Sequence, residues 1–194
     1  MRRKLLKVLG GLLLFLAVSL VGGWLAFVPW SKEPGYAFVT AWGEKGDGPG
    51  QFNDPTGIAV TGGEVFVADS RNGRIQVFDF KGNFKRQFGE PGKGLGELSR
   101  PMNLRIANGE LYVAEYWNDR IQVFTPEGEF IEEWPGVIDP VGIFIDESES
   151  IWVVSAGLNR LLKYNTQGQL LYHWGAYGRT SGGFLGGLAR PHQV

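Results

Sequence analysis

A chain that restates itself at a fixed interval has few folds open to it. "VADSRNGRIQVF" at residues 67–78 returns as "VAEYWNDRIQVF" at 113–124 and, worn, as "VVSAGLNRLLKY" at 153–164. The aromatic positions Trp42, Phe88, Trp134 and Trp174 are spaced by 46, 46 and 40 residues. The prolines Pro55, Pro101, Pro140 and Pro191 are spaced by 46, 39 and 51. A period of this size means a stack of supersecondary units, none of which buries its faces alone.

Each unit holds four short segments of alternating or β-branched and aromatic character, as in "GIAV" (57–60), "EVFVA" (64–68), "RIQVFD" (74–79) and "FKRQF" (84–88). These read as strands. The joints "TGGE", "ANGE", "FKGN", "PEGE" and "TQGQ" are turn chemistry. Four antiparallel strands per 40–46 residues predict an all-β propeller. Three full blades are expected, at about 36–88, 89–134 and 135–174, with the start of another at 175–194. The closing "ARPHQV" matches the openings of the earlier blades, so the sequence reads as part of a longer propeller. A strand is also expected over Tyr36–Trp42.

The first 30 residues read differently. Arg2, Arg3, Lys4 and Lys7 precede an uncharged run of 21 residues, Val8 to Val28, about the length of a membrane-spanning helix. The basic cluster predicts that the remainder, residues 31–194, lies outside the cytoplasm. Two readings stay open: an uncleaved single-pass anchor in the cell membrane, or a cleaved signal that leaves the propeller secreted or periplasmic. No cysteine is present, which excludes disulfides, thiolate metal sites and thiol catalysis. Beyond residue 30 the chain carries 15 Lys+Arg against 20 Asp+Glu, a net −5, which argues against nucleic acid as a partner.

The segments "P-x-G-I-A-V", "V-A-D-S-x-N-x-R-I-Q-V-F" and "G-x-F" resemble those of the NHL-repeat β-propellers. The resemblance spans roughly residues 36–194. It weakens in the third blade, where Ser155 stands in place of Asp69 and Glu115 and Lys163 in place of a valine. It implies a ring of about six blades. It implies little about activity, because such propellers include lyases, lactonase-like enzymes, RNA binders and protein scaffolds.

Strands alternate in direction, so the links between blades and the links from second to third strand share one face. Loop length varies on that face. Phe88 to Pro101 is 13 residues, Trp134 to Pro140 only 6. Function concentrates on such loops. The candidate binding residues there are Arg71, Asn72, Tyr116, Trp117 and Asn118, with the aromatic pair as the recognition anchor. The glycine-rich interblade loops lack the context of a phosphate cradle and read as flexible connections. Asp69 with Arg74, and Glu115 with Arg120, recur at spacing five. Their periodicity favours a structural turn cap over catalysis.

The function expected is an extracytoplasmic recognition module for a protein, peptide or glycan, with no cofactor evident. The alternative is a metal-dependent propeller enzyme, resembling the peptidyl-hydroxyglycine lyases or lactonases, with zinc or calcium in the central channel. Its one candidate ligand is His192, which follows the proline at a blade mouth. The matching positions Thr56, Met102 and Val141 are not zinc ligands of that kind.

Overall fold

The computed structural model describes residues 37–175. The expected helix within residues 1–30, the segment 176–194 and its His192 lie outside the described residues. Among the described residues no helix is long and apolar enough to cross a membrane.

Three four-stranded sheets follow one another along the chain. The first blade comprises β3 (Pro55–Thr61), β4 (Glu64–Asp69), β5 (Arg74–Asp79) and β6 (Phe84–Phe88). The second comprises β7 (Pro101–Ala107), β8 (Glu110–Glu115), β9 (Arg120–Phe124) and β10 (Phe130–Pro135). The third comprises β11 (Pro140–Ile145), β12 (Ile151–Ser155), β13 (Arg160–Tyr164) and β14 (Leu170–Trp174). All neighbours within a blade are antiparallel and in chain order. A short parallel pair, β1 (Glu44–Lys45) and β2 (Gln51–Phe52), lies in the loop that leads into the first blade.

Local chemistry sets the turns. Gly62–Gly63 and Asn108–Gly109 have φ of 55°, 79°, 52° and 79°, the doubly left-handed geometry of a two-residue hairpin. At the third-to-fourth turn, a polar side chain at the end of the third strand caps the backbone. Asn83 N donates to Asp79 Oδ1 at 2.9 Å, Glu129 N to Thr125 Oγ1 at 3.2 Å, and Gln169 N to Asn165 Oδ1 at 2.9 Å.

The core lies between blades. Phe66, Ala68, Ile75 and Val77 of the first blade pack on Leu104, Leu111, Val113 and Phe124 of the second. The opposite face of the second blade packs Tyr112, Ile121, Val123 and Trp134 on Ile143, Val153, Leu162 and Tyr164 of the third. The second blade is therefore covered on both faces, which is why "ELYVA" and "RIQVF" read as nearly continuous apolar runs. The inner strands β3, β7 and β11 are neighbours. Gly57 permits their approach, because a Cβ there would stand 2.9 Å from Asn103 Cα.

The aromatic period has a packing cause. Phe88 reaches across the seam to Phe124 (5.6 Å between centroids), and Trp134 reaches Tyr164 (5.6 Å). Each ring slides under the turn glycine of the next blade. A Cβ on Gly128 would lie 2.4 Å from Phe88, and one on Gly168 would lie 2.3 Å from Trp134 Nε1. Trp42 stands in the same relation to Gly82 and Phe78.

Two expectations are corrected. Residues 37–42 form no strand. Trp42 acts as the first of the aromatic wedges, and that packing produces the spacing that suggested a strand. The two glycine-rich interblade loops among the described residues are more than plain connections, for they carry matching internal hydrogen bonds. Gly46 N donates to Phe52 O at 3.0 Å, and Gly92 N to Leu98 O at 3.2 Å. Gly48 N donates to Gln51 Oε1 at 3.0 Å, and Gly94 N to Glu97 Oε2 at 2.8 Å. Their glycines serve close approach within a compact loop.

Candidate functional site

The loop face is built from the sheet upward, starting with the periodic carboxylates. Asp69 and Glu115 are fully buried at the ends of β4 and β8. An ionised carboxylate there needs every lone pair satisfied. Asp69 accepts from Asn53 N (2.7 Å), Asn72 Nδ2 (2.9 Å), Arg74 Nε (2.8 Å) and Gln76 Nε2 (3.2 Å). Glu115 accepts from Ser99 N (2.9 Å), Asn118 Nδ2 (2.7 Å), Arg120 Nε (2.7 Å) and Gln122 Nε2 (2.6 Å). The two networks superpose residue for residue at an offset of 46.

The arginines extend these networks into the interblade loops. Arg74 donates to Gly48 O, Gln51 O and Gln87 Oε1 at 2.9–3.1 Å. Arg120 donates to Lys93 O, Gly94 O, Glu97 O and Glu133 Oε2 at 2.8–3.0 Å. Gln76 and Gln122 close the clasp by donating to Gln51 O and Glu97 O and accepting from Gly50 N and Gly96 N. The structural reading of the carboxylate–arginine pairs holds: they pin the loops.

This assigns the candidate binding residues to two groups. Asn72 and Asn118 turn inward, each bridging the buried carboxylate and a loop carbonyl, Gly46 O or Gly92 O, at 2.9 Å. They are spent on the fold. Arg71, Tyr116 and Trp117 remain on the surface, with Trp117 59% exposed and Tyr116 half-buried.

Two residues absent from the sequence-based set join them. Arg100 stacks over both rings, its guanidinium carbon 5.7 Å from the centroid of Tyr116 and 5.2 Å from that of Trp117. Asp54 lies beside the two cations, with Oδ2 at 3.3 Å from Arg71 Nε and 3.9 Å from an Arg100 terminal nitrogen. The cluster therefore straddles the seam of the first two blades. Asp54 also lines a groove of about 400 Å³ with Trp42, Phe52 and Pro55. The residues before the four blade prolines are Asp54, Arg100, Asp139 and Arg190, so the sequence marks an arginine here without singling it out.

At each blade mouth the residue after the proline sits at a register shift of the inner strand. The shift falls at Thr56, Met102 and Val141. Such bulges re-aim a side chain. Among the described residues no group of three or more His, Cys, Asp or Glu is arranged to hold a metal ion.

Repeated four-stranded blades with their core in the seams define a repeat protein of the β-propeller class. Residues 52–78 match the model of the NHL repeat. The chain thus carries an NHL repeat within a β-propeller fold. It is 56% identical over 46 residues to the B-box type zinc finger protein ncl-1 of Caenorhabditis elegans, which is 23% of this chain and 5% of that one. It is 53% identical over 49 residues to the E3 ubiquitin-protein ligase TRIM32 of Homo sapiens, 25% of this chain and 8% of that one. The chain thus matches only a small part of the length of these relatives. Among solved structures, virginiamycin B lyase from Staphylococcus aureus has a TM-score of 0.51 at 21% identity, covering 62% of this chain and 40% of that one. Kuenenia stuttgartiensis hydrazine synthase has a TM-score of 0.54 at 19% identity, covering 72% and 39%. These likenesses concern the fold.

Proposed function

We propose that this chain is a recognition module that grips a peptide segment of a protein partner on its loop face. The observation that carries the reading is Trp117, a large aromatic ring left exposed at a loop tip while its loop is clamped from beneath by the Glu115–Arg120 clasp. A rigidly mounted, solvent-facing aromatic beside an arginine has the composition of a binding hot spot. Preorganisation of the loop lowers the ordering cost of association. A peptide fits better than a glycan, because the amide nitrogens of Asn72 and Asn118, which would donate to sugar hydroxyls, are engaged by their own loops.

The run Val8–Val28 behind four cations supports display of this module beyond a membrane, tethered or released. The peptide reading is tested by selecting binders from a random peptide library on the full chain and repeating the measurement with Trp117→Ala. We expect the affinity to fall by about thirtyfold or more, the cost of a hot-spot aromatic, with the melting temperature unchanged. Selected peptides that bind Trp117→Ala as tightly as the parent chain would refute the reading.

A further inference from the structure

We propose that Arg100, with Arg71 beside it, is the seat for a carboxylate of an acidic peptide, and that Asp54 occupies the seat in its absence. The inference rests on the peptide-recognition reading and specifies its ligand.

Four observations converge on Arg100. Its φ is 52°, in the left-handed region that a long L side chain rarely adopts. Among the described residues, the equivalents before the other blade prolines, Asp54 and Asp139, have φ of 59° and 46° and belong to a type that tolerates this conformation. Strain of this kind persists where the surroundings enforce it, and it concentrates at ligand sites. Next, Arg100 Nε is buried and has no hydrogen-bond partner among the described residues. Arg74 and Arg120 differ in having Nε and both terminal nitrogens engaged. Third, the guanidinium lies over the faces of Tyr116 and Trp117, which shields it on one side and orients its edge. Last, its nearest carboxylate oxygen, Asp54 Oδ2, is 3.9 Å away, beyond the ~2.7–2.9 Å of a charge-assisted hydrogen bond.

The placement of Asp54 identifies the ligand group. One oxygen atom of Asp54 is shared between Arg71 at 3.3 Å and Arg100 at 3.9 Å, so both guanidiniums face a position suited to one carboxylate. The contact is partly exposed and loosely made, the kind of ion pair worth little on its own. An incoming carboxylate that bonds both arginines gains more than Asp54 gives up. Trp117 offers apolar area beside the charge, so the matching peptide carries Asp or Glu next to an aliphatic or aromatic residue. A nucleic-acid strand presents the same cations with a run of phosphates, and the face opposes it. Asp54, Asp119 and Asp139 stand in its links.

The test uses the full chain and the peptides selected from a random library. Selected sequences are expected to be enriched in Asp or Glu beside an apolar residue. Arg100→Gln should weaken the best of them by about ten- to hundredfold, the loss of a hydrogen bond to a charged group. Exchange of the peptide's Glu for Gln should weaken binding to the parent chain equally and to Arg100→Gln no further. Asp54→Asn, which keeps the left-handed backbone, should tighten binding by about two- to fivefold, since the resident counter-charge is gone. Tightening is an effect that a purely structural role for Asp54 does not produce, and it keeps the test decisive if Arg100→Gln fails to fold. Peptides that need Trp117 but show no acidic enrichment and no response to Asp54→Asn would overturn the carboxylate seat and leave the recognition reading standing. No Trp117-dependent peptide at all would overturn both. Arg100-dependent binding of a random single-stranded RNA, tighter than that of any selected peptide, would overturn the proposal in favour of nucleic acid.

Discussion

The first two blades and the third solve the same problem with different chemistry. In the first two, a 13-residue interblade stretch folds back over the sheet and turns carbonyls inward. Buried carbonyls need donors. The Asp69–Arg74–Gln76 and Glu115–Arg120–Gln122 clasps supply them. In the third blade the stretch from Trp134 to Pro140 is 6 residues, and the carbonyls to be satisfied are fewer. Ser155 takes the place of the carboxylate and donates to Ile138 O, while Leu162 takes the place of the glutamine. Clasp and loop thus shrink together. The lesson is that the polar residues of "D-S-x-N-x-R-I-Q" are the foundation of the loop above them and not a site of their own.

Trp134 is wedged under the third blade and 4% exposed.

These contrasts can be broken by substitution. The largest effect is expected from Arg120→Met, which strands the buried Glu115 charge and should cost about 3–5 kcal/mol in urea unfolding. Arg160→Met in the third blade faces Ser155 instead of a carboxylate and should cost less than about 1 kcal/mol. Equal losses at the two positions would mean the clasp is not what separates the blades. Trp134→Ala should cost about 3–5 kcal/mol through the cavity it leaves in the seam. Gly128→Ala drives a Cβ against Phe88 and should lower stability by about 1–3 kcal/mol, whereas Gly109→Ala meets nothing within 4 Å and suffers only its backbone strain.

The smallest effect is a matter of pH. Hydrogen bonds from Arg86 and Lys85 hold the Glu64 carboxyl down from 4.5 to about 2. Arg86 also donates to Pro126 O at 2.7 Å, so the pair ties the first blade to the second. A carboxyl with a lowered folded pKa stabilises above its unfolded value and loses that stabilisation as protons bind. The stability gap between the parent chain and Glu64→Gln should therefore be full above pH 4.5 and close as pH falls through about 2. A gap that is flat across this range would show that the ion pair does not hold the Glu64 carboxyl down.

Much of this was legible in the residues alone, for identifiable reasons. The blade boundaries follow from Trp42, Phe88 and Trp134, because each ring is a wedge that recurs once per unit. The hairpins follow from "GG" and "NG", because few residues tolerate two left-handed positions in succession. Trp117 was found as an aromatic at a loop tip. Arg100 was missed, because nothing in the residues around it records that its backbone is left-handed or that its guanidinium lies over rings sixteen and seventeen positions later. That the amide nitrogens of Asn72 and Asn118 turn inward was not legible, because asparagine in a loop looks the same whether its amide faces water or a buried carboxylate.

The sequence by itself therefore determined the repeat, the strands, the turns and the blade class, all of which depend on neighbours within one unit. Only the tertiary structure decided which polar side chains hold up the loops and which stay on the surface. That choice depends on which carbonyls the folded loop buries, and on which residues of two successive blades meet across their seam.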